Sequence, residues 1–256
     1  MPIYPIINEL FGDNVFFSAM AMASLLLLPA NTHAQNWQLL DELLRQYVAP
    51  AERQGVKLNA VDYKGLSLDP RYPQLVTQIA NISPNDLRSR EEQLAFYINA
   101  YNVYAIKMVI DHYPVKSIRD IGSLFSPVWG RPVGTLAGQE VSLDDIEHKV
   151  LRQLGEPRIH FAIVCASLSC PNLRTEAYAA QKLEQQLESQ TQEFLNNQSK
   201  GLMLERERVR VSQIFDWFEE DFESEGGVEA FIRRYTNLPT RINVRANLPY
   251  NWDLNE

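Results

Sequence analysis

One stretch of this 256-residue chain limits its fold more than any other. Ser89-Arg90-Glu91-Glu92 opens it as a capping box, in which the serine accepts from the third helical amide while Glu92 reaches back. The run QLAFYINAYNVYAIKMVIDHY follows and must stop before Pro114, because a residue preceding proline disfavours helical backbone. Leu94, Ile98, Tyr101, Ala105 and Met108 form one stripe, yet apolar side chains cover most of the circumference. Such a helix is central and largely buried.

Around it the pattern predicts shorter pieces. A helix is expected over Trp37 to Ala49 and a second over Asp69 to Ile82. Val133 to Val141 reads as a hairpin turning at Ala137-Gly138. Ser142 caps LDDIEHKVLRQL, which Gly155 ends. The apolar run from Arg158 to Val164 reads as a short strand, and Leu183, Leu187, Thr191 and Phe194 mark a further amphipathic helix. Residues 202–211 alternate as a half-exposed hairpin, Ser212 caps QIFDWFEEDF, Gly226-Gly227 breaks the chain, VEAFIRRY is a last helix and RINVRANL a closing strand. Without a steady βαβ rhythm, the expected class is α+β, with helices packed around a small antiparallel sheet.

At 45% hydrophobic and 22% charged residues, disorder and fibrous repeats are excluded. The formal charge of −8 argues against a nucleic-acid partner, which needs clustered Lys and Arg. Val15 to Leu28, VFFSAMAMASLLLL, is too short for a membrane span but suits the apolar core of a secretory signal. Residues 1–34 are therefore read as a signal peptide cleaved after Ala34, although the segment before the apolar run carries Glu9 and Asp13 and no basic residue. Residues 35–256 form the expected single domain, exported to a periplasmic or extracellular space, with no further segment long enough to span a bilayer.

The densest chemistry lies in HFAIVCASLSCP, which holds His160, Cys165, Cys170 and Pro171. Pro171 favours a helical start, which would place Cys170 at a helix N-terminus and lower its thiol pKa. Cys170 is therefore expected to be the more reactive sulfur unless the two are joined. On a regular strand His160 and Cys165 would face opposite sides. No histidine follows either cysteine, so a Cys–His dyad would be permuted relative to papain-like and transglutaminase-like enzymes, to which the expected fold is at most distantly similar. The alternatives are a Cys165–Cys170 disulfide, or two buried thiols beside a core histidine. Asn99, Tyr101 and Asn102 set polar groups on the apolar helix; each amide needs a partner, either loop backbone or a catalytic group. Glu147 and His148, with Asp144 and Asp145, are a weak metal pattern and read better as a solvated face. Asp216, Glu219, Glu220, Glu223 and Glu225 read as solvated too, whereas Asp221, between aromatic residues, can reach inward. Gly-rich phosphate loops, G-x-S-x-G and CxxC are absent.

AFYINAYNVYAI, SLDDIEHKVLR, PRIHFAIVCASLSCPNL, IFDWFEEDF and the terminal YNWDLN occur in an order that resembles the family catalogued as domain of unknown function 547, over roughly residues 85 to 225. His160, Cys165, Cys170, Pro171, Asn99 to Asn102, Trp217, Asp221 and Phe222 match its pattern; Val164-Cys165-Ala166 stands where the family has Asn-Cys-Gly. The resemblance implies an established domain without an established reaction, with members in cytoplasmic settings as well.

The first functional reading is an exported module that binds a small molecule or peptide in a His-Cys-Cys pocket. The second is a thiol-dependent hydrolase or acyltransferase, with Cys170 or Cys165 as nucleophile, His160 as base and Asn99 or Asn102 orienting. A metal site on Cys165, Cys170, His160 and His148 ranks below both. No cofactor is expected.

Overall fold

The computed structural model describes residues 36–123, 125–205, 208–239 and 242–256. The segment read as a signal peptide lies outside the described residues.

Helix α1 (Gln38–Tyr47) passes directly into β1 (Val48–Arg53), which pairs antiparallel with β2 (Val56–Val61). The expected helix to Ala49 thus ends two residues early, and a hairpin follows that the periodicity did not reveal. Its turn needs left-handed backbone at Gln54 and Gly55, with φ of 51° and 75°. α2 (Tyr63–Leu68) and α3 (Arg71–Ala80) lead to α4 (Arg90–Ile110), and both halves of the predicted capping box are made at Ser89 and Glu92. Of the 21 residues of α4, those from Leu94 to Ile106 are buried without a break. The expected hairpin is present as β3 (Pro132–Leu136) and β4 (Gln139–Ser142).

Ser142 then caps α5 (Leu143–Ile146), which widens into a π turn over Glu147–Leu151 before a tight 3₁₀ turn and Gly155 at φ 64°. The run expected to be a strand is instead a single helical turn, α6 (Ile159–Ala162), and only from Ile163 onward does the backbone extend. A short apolar run does not itself separate strand from buried helix. α7 (Leu183–Asn196) is followed by β5 (Leu202–Leu204) and β6 (Arg208–Val211). Next come α8 (Ile214–Trp217), a 3₁₀ segment over Glu219–Glu225, α9 (Val228–Tyr235) and β7 (Asn243–Ala246).

The class is α+β, but among the described residues the strands make three small sheets rather than one, and β7 joins β6 in parallel. No helix among the described residues is long and apolar enough to cross a membrane. Two apolar clusters meet at α6. Ile159 and Ala162 belong to the larger cluster around α4, while Phe161 packs with Phe194, Phe215, Phe222 and Phe231 in the smaller. His160, between them in sequence, is left at the seam. The C-terminal residues close over that seam: Leu168 N donates to Asp253 O at 2.8 Å and Leu254 N to Lys116 O at 2.8 Å.

Candidate functional site

α4 supplies the frame. Asn102 Nδ2 donates to Ala162 O at 3.0 Å, and its Oδ1 accepts from Val164 N at 2.8 Å. This two-point latch fixes the exit from α6. Asn99 does the same for a different loop, binding Tyr178 O and Tyr178 N at 2.8 and 2.9 Å. Both amides are satisfied by backbone, so they position loops rather than face the cavity. Tyr101, between them, lines the cavity wall.

Beyond the latch, Ala166 takes left-handed backbone (φ 57°), and the chain turns so that Cys165 and Cys170 join in a disulfide with Cα atoms 6.1 Å apart. The two sulfurs are therefore not free thiols. The helical start expected at Pro171 does not form, since residues 171–179 are irregular, and Cys170 is only 1% exposed. The surroundings of its sulfur come instead from polar donors. Cys165 N–H, Ser167 Oγ and Tyr250 Oη approach Cys170 Sγ at 3.0, 3.3 and 3.3 Å. Tyr250 Oη also lies 3.3 Å from Cys165 Sγ, and Ser167 Oγ lies 3.5 Å from it.

His160 projects from α6 with its side chain 1% exposed. Its Nε2 meets Asp221 Oδ2 at 2.6 Å, and Arg152 grips the same carboxylate through Nε and Nη2 at 2.7 and 2.8 Å. Asp221 thus reaches inward as its aromatic neighbours suggested. Phe218 stacks on the imidazole, with centroids 4.0 Å apart. On the other edge Nδ1 has no hydrogen-bond partner, and Glu147 Oε1 stands 4.0 Å away. Glu147 is buried and opens the π turn; extra-wide turns of this kind often mark functional positions.

The protonation states follow from these contacts. Burial pushes the Asp221 carboxyl up, but the hydrogen bonds from His160 and Arg152 outweigh it and hold the group well below the usual carboxylate range. Burial pulls His160 down, against the pull of Asp221. The pair is therefore a neutral imidazole donating Nε2–H to a carboxylate, which leaves a lone pair on Nδ1. Burial raises Glu147 to about 7, with Asp144 and Asp221 adding to the shift and Tyr101 and Arg152 opposing it. Asp144 also rises, chiefly through burial.

Tyr101, Asp144, Glu147 and His160 line a cavity of about 110 Å³ walled by Trp129, Trp217, Phe218, Tyr250 and Trp252, with both cysteines on its surface and Asp221 and Arg152 behind His160. Trp129, Trp217, Phe218 and Trp252 are shared with a broader open groove of about 1040 Å³. Trp217 is 42% exposed there, and the Arg119 guanidinium sits 5.0 Å over the Trp252 ring. His148 lines the cavity beside His160 but is tied to Arg152 at 3.1 Å. No grouping of three or more His, Cys, Asp or Glu suited to a metal occurs among the described residues.

The structure thus places His160, Cys165 and Cys170 on one cavity, with Asn102 holding the chain between the histidine and the first cysteine, whereas Asn99 holds the separate loop at Tyr178. Sequence reasoning missed Arg152, the inward Glu147 and the aromatic wall. Of that wall, Trp217 in IFDWFEEDF and Tyr250 and Trp252 in the terminal YNWD segment carried a sequence signal, through the blocks that resemble the family.

Residues 84–195 match the model of the family described as "Protein of unknown function, DUF547", which bears out the resemblance over that stretch. The matched segment carries Asn99, Asn102, Glu147, Arg152, His160 and both cysteines, whereas Asp221, Tyr250 and Trp252 lie beyond it. No curated protein and no solved structure matches the chain.

Proposed function

We propose that the domain is an exported ligand-binding module, and that its ligand is a small molecule or peptide end carrying a protonated amine on an apolar or aromatic body. The observation that carries the reading is the unpartnered, buried Nδ1 of His160, facing Glu147 inside an aromatic cavity. A buried acceptor without a donor costs about 1–3 kcal/mol, which a ligand N–H recovers. Glu147 and Asp144 add negative charge on the same wall, and tryptophan faces favour a cation. The open groove, about 1040 Å³, stands at the upper limit of the size range of small-ligand sites. Export is supported by the apolar leader and by a disulfide, which persists best in an oxidising compartment.

Phenethylamine, titrated while tryptophan fluorescence is followed, tests the reading. It is expected to bind more tightly at pH 8 than at pH 5, because Glu147 ionises in between. Glu147→Gln should remove that pH dependence, Trp217→Ala should weaken binding at both pH values, and neutral 2-phenylethanol should bind poorly. Equal binding of the amine by all three proteins, or none by the parent, would overturn it. A thiol-dependent hydrolase or acyltransferase has no free nucleophile while Cys165 and Cys170 are joined, so that activity is confined to a reduced form.

A further inference from the structure

We infer that Cys165–Cys170 is an exchange-active disulfide, with Cys165 Sγ as the sulfur attacked by a small thiol or dithiol entering through the aromatic cavity and Cys170 Sγ as the leaving thiolate. The inference concerns the cavity wall and is independent of what the cavity binds.

The two sulfurs are unequal in access. Cys165 is half-buried and Cys170 is 1% exposed, and both line the cavity. A thiolate arriving by that route meets Cys165. The two are also unequal in their partners. Cys170 Sγ is met by a backbone N–H, by Ser167 Oγ and by Tyr250 Oη, within 3.0 to 3.3 Å. The Cys165 backbone N–H serves Cys170 alone, and the Ser167 hydroxyl is nearer Cys170 than Cys165. Donors converging on one atom favour its anionic form. The better leaving thiolate is the one of lower pKa, so the arrangement selects which sulfur is released. Burial drives the Tyr250 phenol upward, so it stays protonated and remains a donor.

The bond is also weakly placed as a staple. It closes a loop of sequence separation 5, and short loops gain least from cross-linking. The same loop is already held without it. Asn102 latches its start, Leu168 N and Ser169 N donate to Asp253 O and Asn251 O, and Ser169 Oγ accepts from Asn251 N at 2.8 Å. The fold thus has what it needs to keep this loop in place when the bond opens.

In the exchange, a thiolate of the incoming dithiol attacks Cys165 Sγ. A mixed disulfide forms, the S–S bond breaks, and its electron pair leaves on Cys170 Sγ. The dithiol's second thiol loses its proton and attacks its own sulfur in the mixed disulfide. That releases Cys165, which takes up a proton, and the dithiol departs as a cyclic disulfide. The dithiol is oxidised by two electrons and the protein disulfide is reduced by two. One of the dithiol's two protons ends on Cys165, and the other passes to solvent while Cys170 remains a thiolate.

The full chain should be equilibrated with graded ratios of reduced to oxidised dithiothreitol, its thiols alkylated and counted by mass, and its fold followed by circular dichroism. The expected result is reduction with the fold retained. Ser167→Ala and Tyr250→Phe should each shift the equilibrium toward the disulfide by about tenfold. In single variants treated with oxidised glutathione, Cys170→Ser should accumulate a mixed disulfide at Cys165, while Cys165→Ser should leave buried Cys170 unmodified. Reduction only where the protein unfolds, or an equilibrium unmoved by both donor variants, would overturn the inference. Preferential glutathionylation of Cys170 would overturn the assignment of the attacked sulfur.

Discussion

His160 Nε2 and Asp221 Oδ2 lie 2.6 Å apart although 61 residues separate them in the chain. This contact joins the last turn before the disulfide loop to the 3₁₀ segment after α8, and so ties the two apolar clusters together at the cavity. It also fixes the imidazole tautomer, since an acceptor at Nε2 turns the Nδ1 lone pair toward Glu147.

Asp221→Asn tests that arrangement. The change strips Arg152 of its counter-charge and lets the imidazole rotate or change tautomer. We expect a loss of about 2 kcal/mol at pH 7, because both partners are left in a partly buried site. A depressed carboxyl contributes stability above its unfolded pKa of about 3.9, and that contribution fades as pH falls through the lower folded value. Urea unfolding of the two proteins should therefore differ at pH 7, and the gap should begin to shrink only as pH falls below about 4; equal stability at pH 7 would show that the ion pair does not hold the seam.

Asn99→Leu and Asn102→Leu separate stability from site geometry. Each strands one backbone N–H and one carbonyl, at Tyr178 for the first and at Val164 and Ala162 for the second. Both should cost about 2–4 kcal/mol. Only the second releases the exit from α6, so only Asn102→Leu should also weaken phenethylamine binding measured where the protein remains folded. Binding lost equally in both variants would mean that the latch has no local role.

The sequence made some of this legible, for identifiable reasons. The capping box at Ser89 and Glu92 and the turn at Ala137-Gly138 are local signals that structure rarely overrides. The segment from Arg158 to Val164 was misread because its apolar residues serve two different clusters, so their spacing follows neither a helix nor a strand. The Asn99 and Asn102 amides announced buried partners, since an apolar helix cannot carry them unpaired. Arg152 gave no such signal. Its role depends on Asp221, which only the folded chain brings near.

Export predicts a specific end group. If residues 1–34 are removed, protein recovered from its native host should begin at Gln35. Amino-terminal sequencing of the protein from fractionated cells checks this. Intact residues 1–34 on the soluble cytoplasmic form would sink the proposal of export while leaving the ligand reading untouched.

Glu147 supplies the pH dependence expected of the site. Burial raises its carboxyl to about 7, while an unfolded glutamate titrates near 4.3. Between those values the unfolded chain releases a proton that the folded chain retains, so stability falls as pH rises. The cost is absent below about pH 4 and complete above about pH 7, at roughly 3 kcal/mol. Glu147→Gln keeps the shape and removes the titration. The variant should match the parent near pH 4 and exceed it by about 2–3 kcal/mol at pH 8, read from urea midpoints at both values. Phenethylamine should narrow that gap in the parent alone, because an ammonium beside the carboxylate offsets the cost of ionising it. A parent whose stability relative to Glu147→Gln does not change between pH 4 and pH 8 would show that Glu147 titrates in the folded protein as it does in the unfolded chain, and that near neutral pH the cavity holds no proton for a ligand to displace.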